Sequence, residues 1–431
     1  MASFFIPLTG LSADSTALNT IANDLANMNT TAFKAESTNF SDLFYQQIGS
    51  TGAGDPIEVG AGAKVASNEI SFTQGSMNET GNNTDVALDG NGFFVVNNGD
   101  GGYEYTRAGD FSVDANGNLV TSNGLNVMGY PAVNGVVNTS APLAAINIPI
   151  GQVQQPQATS NLSMTANLDA AAAGGSSFPA QVTVYDSLGE PHVVSITFTQ
   201  ASTAAAPNTW DYSISLPASD YSGAPPAAIT GTMTFDSNGN LTQIQPSTAA
   251  TPSTVGTGAG DVSSLNLSFA GLADGASNLS INWNLLGSGG TPTISQVDTA
   301  SAVSATSQDG YPSGQYQSFT IGSDGTVTAS YSNGQKENVA KIALANVPNL
   351  QGLQQLGDGD YATTLASGTA SIGASGSDGL ATLEDGALEA SNVNISTEFS
   401  DLIVAQRAFE ANAKSVTTFD TVTQDTINMV H

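Results

Sequence analysis

The chain starts and ends in helical periodicity and follows a different pattern in between. Over the first 28 residues Phe4, Leu8, Leu11, Leu18, Ile21, Leu25 and Met28 recur at spacings of three, four or seven. That is the period of a helix with one apolar stripe. Pro7 suits a first turn, where its missing N–H costs nothing. Asn27, Asn29, Thr30 and Thr31 are poor helix formers and close the pattern. Over the last 36 residues Phe399, Leu402, Phe409, Val416, Ile427 and Val430 occupy a and d positions of one heptad frame. Gln406, Ala413, Asp420 and Thr423 fill its other slots, and Ile403, Phe419, Val422 and Met429 make an adjoining stripe. Ser396 is the expected N-cap, with Glu398 in the first turn, where the helix dipole favours an acid.

Residues 40–384 show short apolar alternations cut by Gly, Asn, Asp and Pro, the pattern of many short antiparallel strands. One nine-residue pattern occurs three times: Phe111-Ser-Val-Asp-Ala-Asn-Gly-Asn-Leu119, Met233-Thr-Phe-Asp-Ser-Asn-Gly-Asn-Leu241 and Phe319-Thr-Ile-Gly-Ser-Asp-Gly-Thr-Val327. Each is read as a β-hairpin whose Asn-Gly or Asp-Gly supplies the positive φ angles of the turn. Unequal spacing argues against a solenoid. A stretch with three prolines at 142–158 and a return near 296–307 frame an inserted domain.

The expected fold is therefore mostly β with terminal α-helices. The two helices pair as a coiled-coil-like core, with antiparallel barrel- or sandwich-like β domains nested between them. The expected division is a helical polymerisation core at 1–30 and 393–431, connecting segments at 31–75 and 384–392, an inner β domain at 76–145 and 305–383, and an outer β domain at 146–304. An apolar helical stripe must be buried somewhere, and each Leu or Phe covered is worth roughly 1.5–3 kcal/mol. Two helices alone leave part of each stripe open. Head-to-tail contacts with other copies would cover the rest and build an open polymer. The other reading is a terminal pair docked on its own β domain.

Charge sharpens this picture. Thirty-seven acids against seven Lys plus Arg give a formal net charge of −30, and no Lys or Arg occurs between Arg107 and Lys336. So negative a surface repels phosphate backbones and anionic lipid, which argues against nucleic-acid or membrane partners. The chain has no Cys, so disulfides and thiolate chemistry are excluded. No run reaches the about 18 apolar residues of a membrane span. The first residues lack the basic and apolar regions of a cleavable signal peptide.

Candidate catalytic and metal groups are few. Asp114 and Asp236 sit in loops whose spacing does not fit an EF-hand and which no Glu closes. The pairs Asp85 with Asp89 and Asp358 with Asp360 are better explained by strand alternation or loop solvation than by glycoside hydrolysis. Only two His occur, and His192 has no second His nearby, so a surface or packed histidine is expected rather than a ligand. No cofactor, metal or catalytic role is expected. A monomeric secreted adhesin or glycan-acting enzyme is the reading from a different class.

Longer motifs carry a resemblance. Leu18-Asn-Thr-Ile-Ala-Asn-Asp-Leu-Ala-Asn-Met-Asn-Thr-Thr-Ala-Phe-Lys34 resembles the N-terminal signature of flagellar rod and hook proteins. Its residues here include Asn23, Asn27, Asn29, Thr30, Phe33 and Lys34. Gly386-Ala-Leu-Glu-Ala-Ser-Asn-Val-Asn394 and Ile403-Val-Ala-Gln-Arg-Ala-Phe-Glu-Ala-Asn-Ala-Lys414 resemble the C-terminal signature, through Ser391, Asn392, Gln406, Arg407 and Asn412. The family usually has Gly where this chain has Ala32, a departure that bears on a positive-φ turn there. Thr84-Asp-Val-Ala-Leu-Asp-Gly-Asn-Gly-Phe-Phe-Val95 and Tyr105-Thr-Arg-Ala-Gly-Asp-Phe111 resemble the β domain shared by the family. Val184-Tyr-Asp-Ser-Leu-Gly-Glu-Pro-His192 resembles the outer domain of its hook members.

The resemblance, with the chain's length, implies a hook subunit rather than a shorter distal rod subunit. It implies a non-enzymatic protein that polymerises with itself into a tubular universal joint passing motor torque to the filament. It also implies export unfolded through the flagellar type III apparatus, an extracellular place in the flagellum, and contacts with hook-cap, rod and hook–filament junction proteins. The polymerisation residues would be Leu8, Leu11, Leu18, Ile21, Leu25, Phe399, Leu402, Ile403, Phe409, Val416, Phe419 and Ile427.

Overall fold

A computed structural model describes residues 5–50, 55–97, 99, 101–201, 208–377 and 379–429. Phe4, Val430 and His431, which the sequence reading used, lie outside them. The chain forms two units: Met1–Ile150 with Ser318–Ser330 and Lys336–His431, and Gly151–Gln317 with Tyr331–Gln335.

In the first unit the helix α1 spans Phe5–Ala26 and the helix α2 spans Ile395–Met429. Pro7 falls in the first turn of α1, and Asn27 ends the helix by folding its amide back onto Asn23. The cap of α2 is Asn394, not Ser396. Its Oδ1 accepts the N–H groups of Ser396 at 3.0 Å and Thr397 at 3.3 Å. Ser396 is already inside the helix, where its own N–H needs an acceptor. Toward its C-terminus α2 carries few apolar residues and many hydroxyls. Ser415, Thr418, Thr421, Thr423 and Thr426 each donate to the carbonyl four residues back.

The helices are antiparallel: Asp14 of α1 meets Asn412, whereas Asp24 lies near Glu398. The strands Glu36–Asp42 and Ala63–Ile70 pair antiparallel beside α1, tied to it by Thr38 on Thr20 at 3.1 Å and by the Ala63 N–H on Thr9. A second hairpin, Gln46–Ser50 with Pro56–Val59, leaves Tyr45, Ile48 and Ile57 exposed.

The β portion of this unit centres on the strand Phe93–Asn97, which pairs with Glu104–Thr106, Asn126–Val133 and Lys336–Asn346, all antiparallel. Phe93, Val95, Tyr105, Met128, Tyr130, Ala343 and Tyr361 form its core. Phe93 packs edge-on with Phe72 and Tyr361, and Phe72 is tilted against Tyr361, with centroids 5.6–5.8 Å apart.

The second unit is a sandwich of two sheets. Six strands from Ser177–Tyr185 to Ser253–Thr254 follow one another as a meander. The other sheet joins Ser264–Phe269, Leu279–Asn284, Asn161–Asp169, Ile294–Val297 and Ala302–Gln308. Strict alternation, as in the strand Asn161–Asp169, sends Leu162, Met164, Ala166 and Leu168 into one core with Trp210 and Trp283. Within the expected, mostly antiparallel arrangement two pairings here are parallel. Asn161–Asp169 runs parallel to both Leu279–Asn284 and Ile294–Val297. The whole meander intervenes between them and provides the long crossover that parallel pairing requires. The chain re-enters the first unit at Ser318 rather than near 305, because Ala302–Gln308 is hydrogen-bonded along Asn161–Asp169.

The three nine-residue repeats are hairpins, with a different turn from the one expected. Only the glycines Gly117, Gly239 and Gly325 have positive φ, at 87°, 82° and 83°. In the first two the Asp side chain replaces the second left-handed residue. Asp114 Oδ1 accepts the N–H groups of Asn116 and Asn118, and Asp236 Oδ1 those of Asn238 and Asn240. These hydrogen bonds hold both carboxyls below their usual range.

Candidate functional site: the terminal helices and their anchor

The face α1 buries is small and polar rather than leucine-rich. Pro7, Ala13, Ala17, Thr20 and Asp24 are its buried residues. Ala13, Ala17, Thr20 and Asp24 lie three or four apart on one side of the helix. Gly10 adds to this face: a Cβ there would sit 2.7 Å from Asn412 Nδ2. Asn412 in turn donates to Asp14 at 2.8 Å. Small residues let the two backbones approach closely, so the leucine stripe is turned aside.

The twelve expected polymerisation residues therefore divide. Leu11, Leu18, Ile21, Leu25, Leu402, Phe409, Val416 and Phe419 are half-buried at the edges of the helix pair. Leu8 is 43% exposed, Phe399 52%, Ile403 58% and Ile427 57%. On α2 the covered line is Glu398, Leu402, Ala405, Phe409, Asn412, Val416 and Phe419. It shares Leu402, Phe409 and Val416 with the expected frame and omits Phe399, Gln406 and Ile427. Residues 420–429 are exposed on every side.

A groove of about 360 Å³ runs where α1, α2 and the strand Glu36–Asp42 meet, and Asp14, Glu36, Glu398 and Asp401 line it. Burial, then repulsion from Asp401, raises the Glu398 carboxyl. Nearby, Asp24 is fully buried; its Oδ2 accepts the Glu36 N–H at 2.9 Å and its Oδ1 has no partner. Burial, with Glu398 and Glu36 adding repulsion, pushes its pKa up to about 6.

The signature residues gather at the joint that follows α1. Lys34 Nζ reaches Glu389 Oε1 at 2.5 Å and the Thr73 carbonyl at 2.9 Å. Glu389 Oε2 accepts Arg107 Nε at 3.0 Å, and Oε1 also takes the Gly75 N–H at 2.8 Å. All three ionic side chains are at most 4% exposed. Desolvation lowers the Lys34 pKa against the opposing pull of Glu389. Asn392 completes the joint, accepting the Ala35 N–H and donating to the carbonyls of Ser71 and Thr73. Its own N–H meets the Phe33 carbonyl. Asn23, Asn27, Thr30 and Phe33 line a separate recess of about 500 Å³ with Gln355 and Tyr361. Ser391 caps Val393, Arg407 pairs with Glu410 on the helix surface, and Asn29 and Gln406 are exposed.

Sequence reasoning missed Asp24 and Glu389 as elements of this site. Asp24 carries a readable signal, since it continues the line of Ala13, Ala17 and Thr20. The partners of Glu389 lie 355 and 282 residues away, and nothing local marks them. His192, expected at the surface or packed, is buried between carboxylates of Asp186 and Asp220. Among the described residues no helix is long and apolar enough to cross a membrane.

Four family models match successive parts of the chain. They are the flagella basal body rod protein at residues 8–34, the flagellar hook protein FlgE/F/G D1 domain at 87–167, the flagellar basal body protein FlaE D2 domain at 155–311 and the flagellar basal body rod FlgEFG protein C-terminal at 384–429. The flagellar hook protein FlgE of Treponema pallidum is 34% identical over 466 residues, covering 100% of this chain and 99% of its own. That of Salmonella typhimurium is 34% identical over 441 residues, covering 99% and 100%. The crystal structure of Helicobacter pylori flagellar hook protein FlgE2 shares the fold with a TM-score of 0.51 at 15% identity, covering 71% of this chain and 99% of that one.

Proposed function

The chain belongs to the flagellar hook protein family, and we propose that its outward helix faces are the surfaces through which subunits join. It is a structural subunit of the bacterial flagellar hook and not of the shorter rod. The observation that carries the proposal is a mismatch within the helix pair. The face that α1 buries is small and polar, while Leu8, Phe399, Ile403 and Ile427 stay exposed. Apolar helix surface that no described part of the chain covers is a surface for another molecule. Neighbouring copies supply matching stripes, and head-to-tail repetition gives an open helical tube.

In this reading the helical segments 1–30 and 393–431 make the inner tube, and the β domains lie outside it. Torque passes through the packed helices, while the outer domains slide as the tube bends. The chain leaves the cell unfolded through the flagellar type III apparatus, which its lack of Cys suits. It then meets the hook cap, the rod and the hook–filament junction proteins. Truncated chains lacking 5–26 or 395–429 test this. Both should stay monomeric under conditions in which the full chain forms tubes seen by electron microscopy. Normal tubes from either would overturn the proposal.

A further inference from the structure

At one end of the second unit three segments far apart in sequence converge on His192. The turn after Tyr185 brings Asp186, a short 3-10 helix Ala218–Asp220 brings Asp220, and the loop before Leu279 brings Asp274. His192 Nδ1 lies 2.9 Å from Asp220 Oδ2, and Nε2 lies 3.2 Å from Asp186 Oδ2 and 4.0 Å from Asp274 Oδ2. The carboxylates of Asp186 and Asp274 are themselves in contact. His192 and Asp186 are buried, and Asp274 sits at the rim with its side chain 25% exposed.

We propose that Asp186, His192 and Asp274 bind one divalent first-row transition-metal ion, with Zn²⁺ as the type case, and that Asp220 positions the histidine. The ligand atoms fit a single ion. Donors on an ion with bonds of about 2.0–2.2 Å stand no more than about 4.4 Å apart. The Nε2 separations from the two carboxylates, 3.2 and 4.0 Å, fall inside that limit.

Each ligand is also turned toward the common point by a second partner, which for Asp274 is the Ala276 N–H, 3.1 Å from Oδ1. Asp186 Oδ1 is occupied by the N–H groups of Leu188 and Glu190, at 2.8 and 3.0 Å, which turns Oδ2 toward His192 Nε2. A neutral imidazole donating Nδ1–H to Asp220 presents the Nε2 lone pair to the same point. That is the carboxylate–histidine–metal arrangement. The segment carrying Asp274 is joined to the one carrying the positioning Asp220 by the Ala273 N–H on the Asp220 carbonyl and the Ser222 N–H on the Gly271 carbonyl.

Charge makes the case for a metal over a proton. With Nδ1–H on Asp220, three acceptors face one another: Nε2 and two carboxylates. A proton on Nε2 serves one carboxylate and leaves the other against it. A divalent ion neutralises both. No Lys or Arg in the whole second unit could substitute. Mixed nitrogen and carboxylate ligands with an open side suit borderline ions such as Zn²⁺ rather than Ca²⁺ or Mg²⁺, which prefer all-oxygen sites.

The test titrates Zn²⁺ into the full-length monomer by calorimetry, with Ca²⁺ and Mg²⁺ as comparison ions. Thermal unfolding is followed by Trp210 and Trp283, the chain's only tryptophans, both in this unit. One Zn²⁺ per chain should bind, raising the unfolding temperature of the unit, and EDTA should reverse the rise. D274N keeps both histidine hydrogen bonds and should weaken Zn²⁺ binding at least tenfold while its metal-free unfolding stays near that of the parent. D220N should weaken binding about 10- to 100-fold. Unchanged Zn²⁺ affinity in D274N and H192N would overturn the proposal, because binding would then be diffuse attraction to an acidic surface. So would the absence of any Zn²⁺-dependent rise, which would leave His192 as a protonated ion-pair centre only.

Discussion

Ala32 donates its backbone N–H to the carbonyl of Glu389 at 2.8 Å while holding a φ of 53°. The turn that follows α1 is thus left-handed even though an L side chain occupies it, a conformation costing roughly 1–2 kcal/mol. The Glu389 hydrogen bond and the surrounding burial hold it there.

A32G should accordingly be nearly neutral, within about 1 kcal/mol. Relief of strain offsets the lost methyl contact and the greater freedom of the unfolded chain. A32V should be badly tolerated, because a β-branched side chain at positive φ adds strain. Hydrogen exchange of the peptide spanning 19–33 checks both. Equal protection in A32V and the parent would contradict the strained-turn reading.

The Lys34–Glu389–Arg107 cluster should respond in the manner of a buried ion group. E389Q leaves two cations without a counter-charge and should cost about 3–5 kcal/mol. Adding K34M to E389Q should recover part of that loss, since one unpaired charge is removed. Thermal unfolding of the first unit, followed by far-UV circular dichroism, measures the pair of values. A double variant no better than E389Q would show that hydrogen bonding to Thr73, not charge balance, dominates.

Asp24 predicts a pH dependence with a definite sign. Its folded pKa, about 6, lies above the ordinary 3.8 because burial disfavours the anion. The folded state therefore binds the proton more tightly than the unfolded state does. The contribution is most favourable below about pH 4 and is lost as pH rises through about 6. Above that the buried anion costs roughly 3 kcal/mol. D24N removes the titration. Relative to the parent it should be stabilised at pH 7.5, and the gain should shrink toward pH 4. A difference between the two chains that does not change with pH would refute the assignment.

Replacing Phe399 and Ile403 by Ser separates folding from assembly. Both side chains are more than half exposed, so the monomer's unfolding temperature should barely move, with each change worth about 0.5 kcal/mol or less. Tube formation, seen by electron microscopy, should be lost. A double variant that polymerises normally would place the subunit contacts elsewhere.

Periodicity exposed both helices, because leucine spacing is a local property. Which face they bury was not legible from hydrophobicity. Gly10, Ala13 and Ala17 carry little apolar area, yet their small size decides where α2 can approach. Asn394 and Ser396 are comparable caps by residue type, and the cap went to Asn394 because the helix starts at Ile395, two residues earlier than a Ser396 cap requires. The alternation of the second unit gave its strands, but parallel pairing of Asn161–Asp169 depends on connections no local pattern encodes. His192 looked isolated because its carboxylate partners stand 6, 28 and 82 positions away, at 186, 220 and 274.

Lys34 and Glu389 are separated by 355 positions, and their contact joins the segment leaving α1 to the one leading into α2. A chain delivered N-terminus first, whether from a ribosome or through a narrow channel, can form its hairpins early but cannot close this contact until nine-tenths of its length has arrived. α2 begins only six residues later, at Ile395. The end of the molecule thus sets the clock. A partly emerged subunit has neither the locked joint nor the second helix, and so has nothing finished to offer a growing polymer.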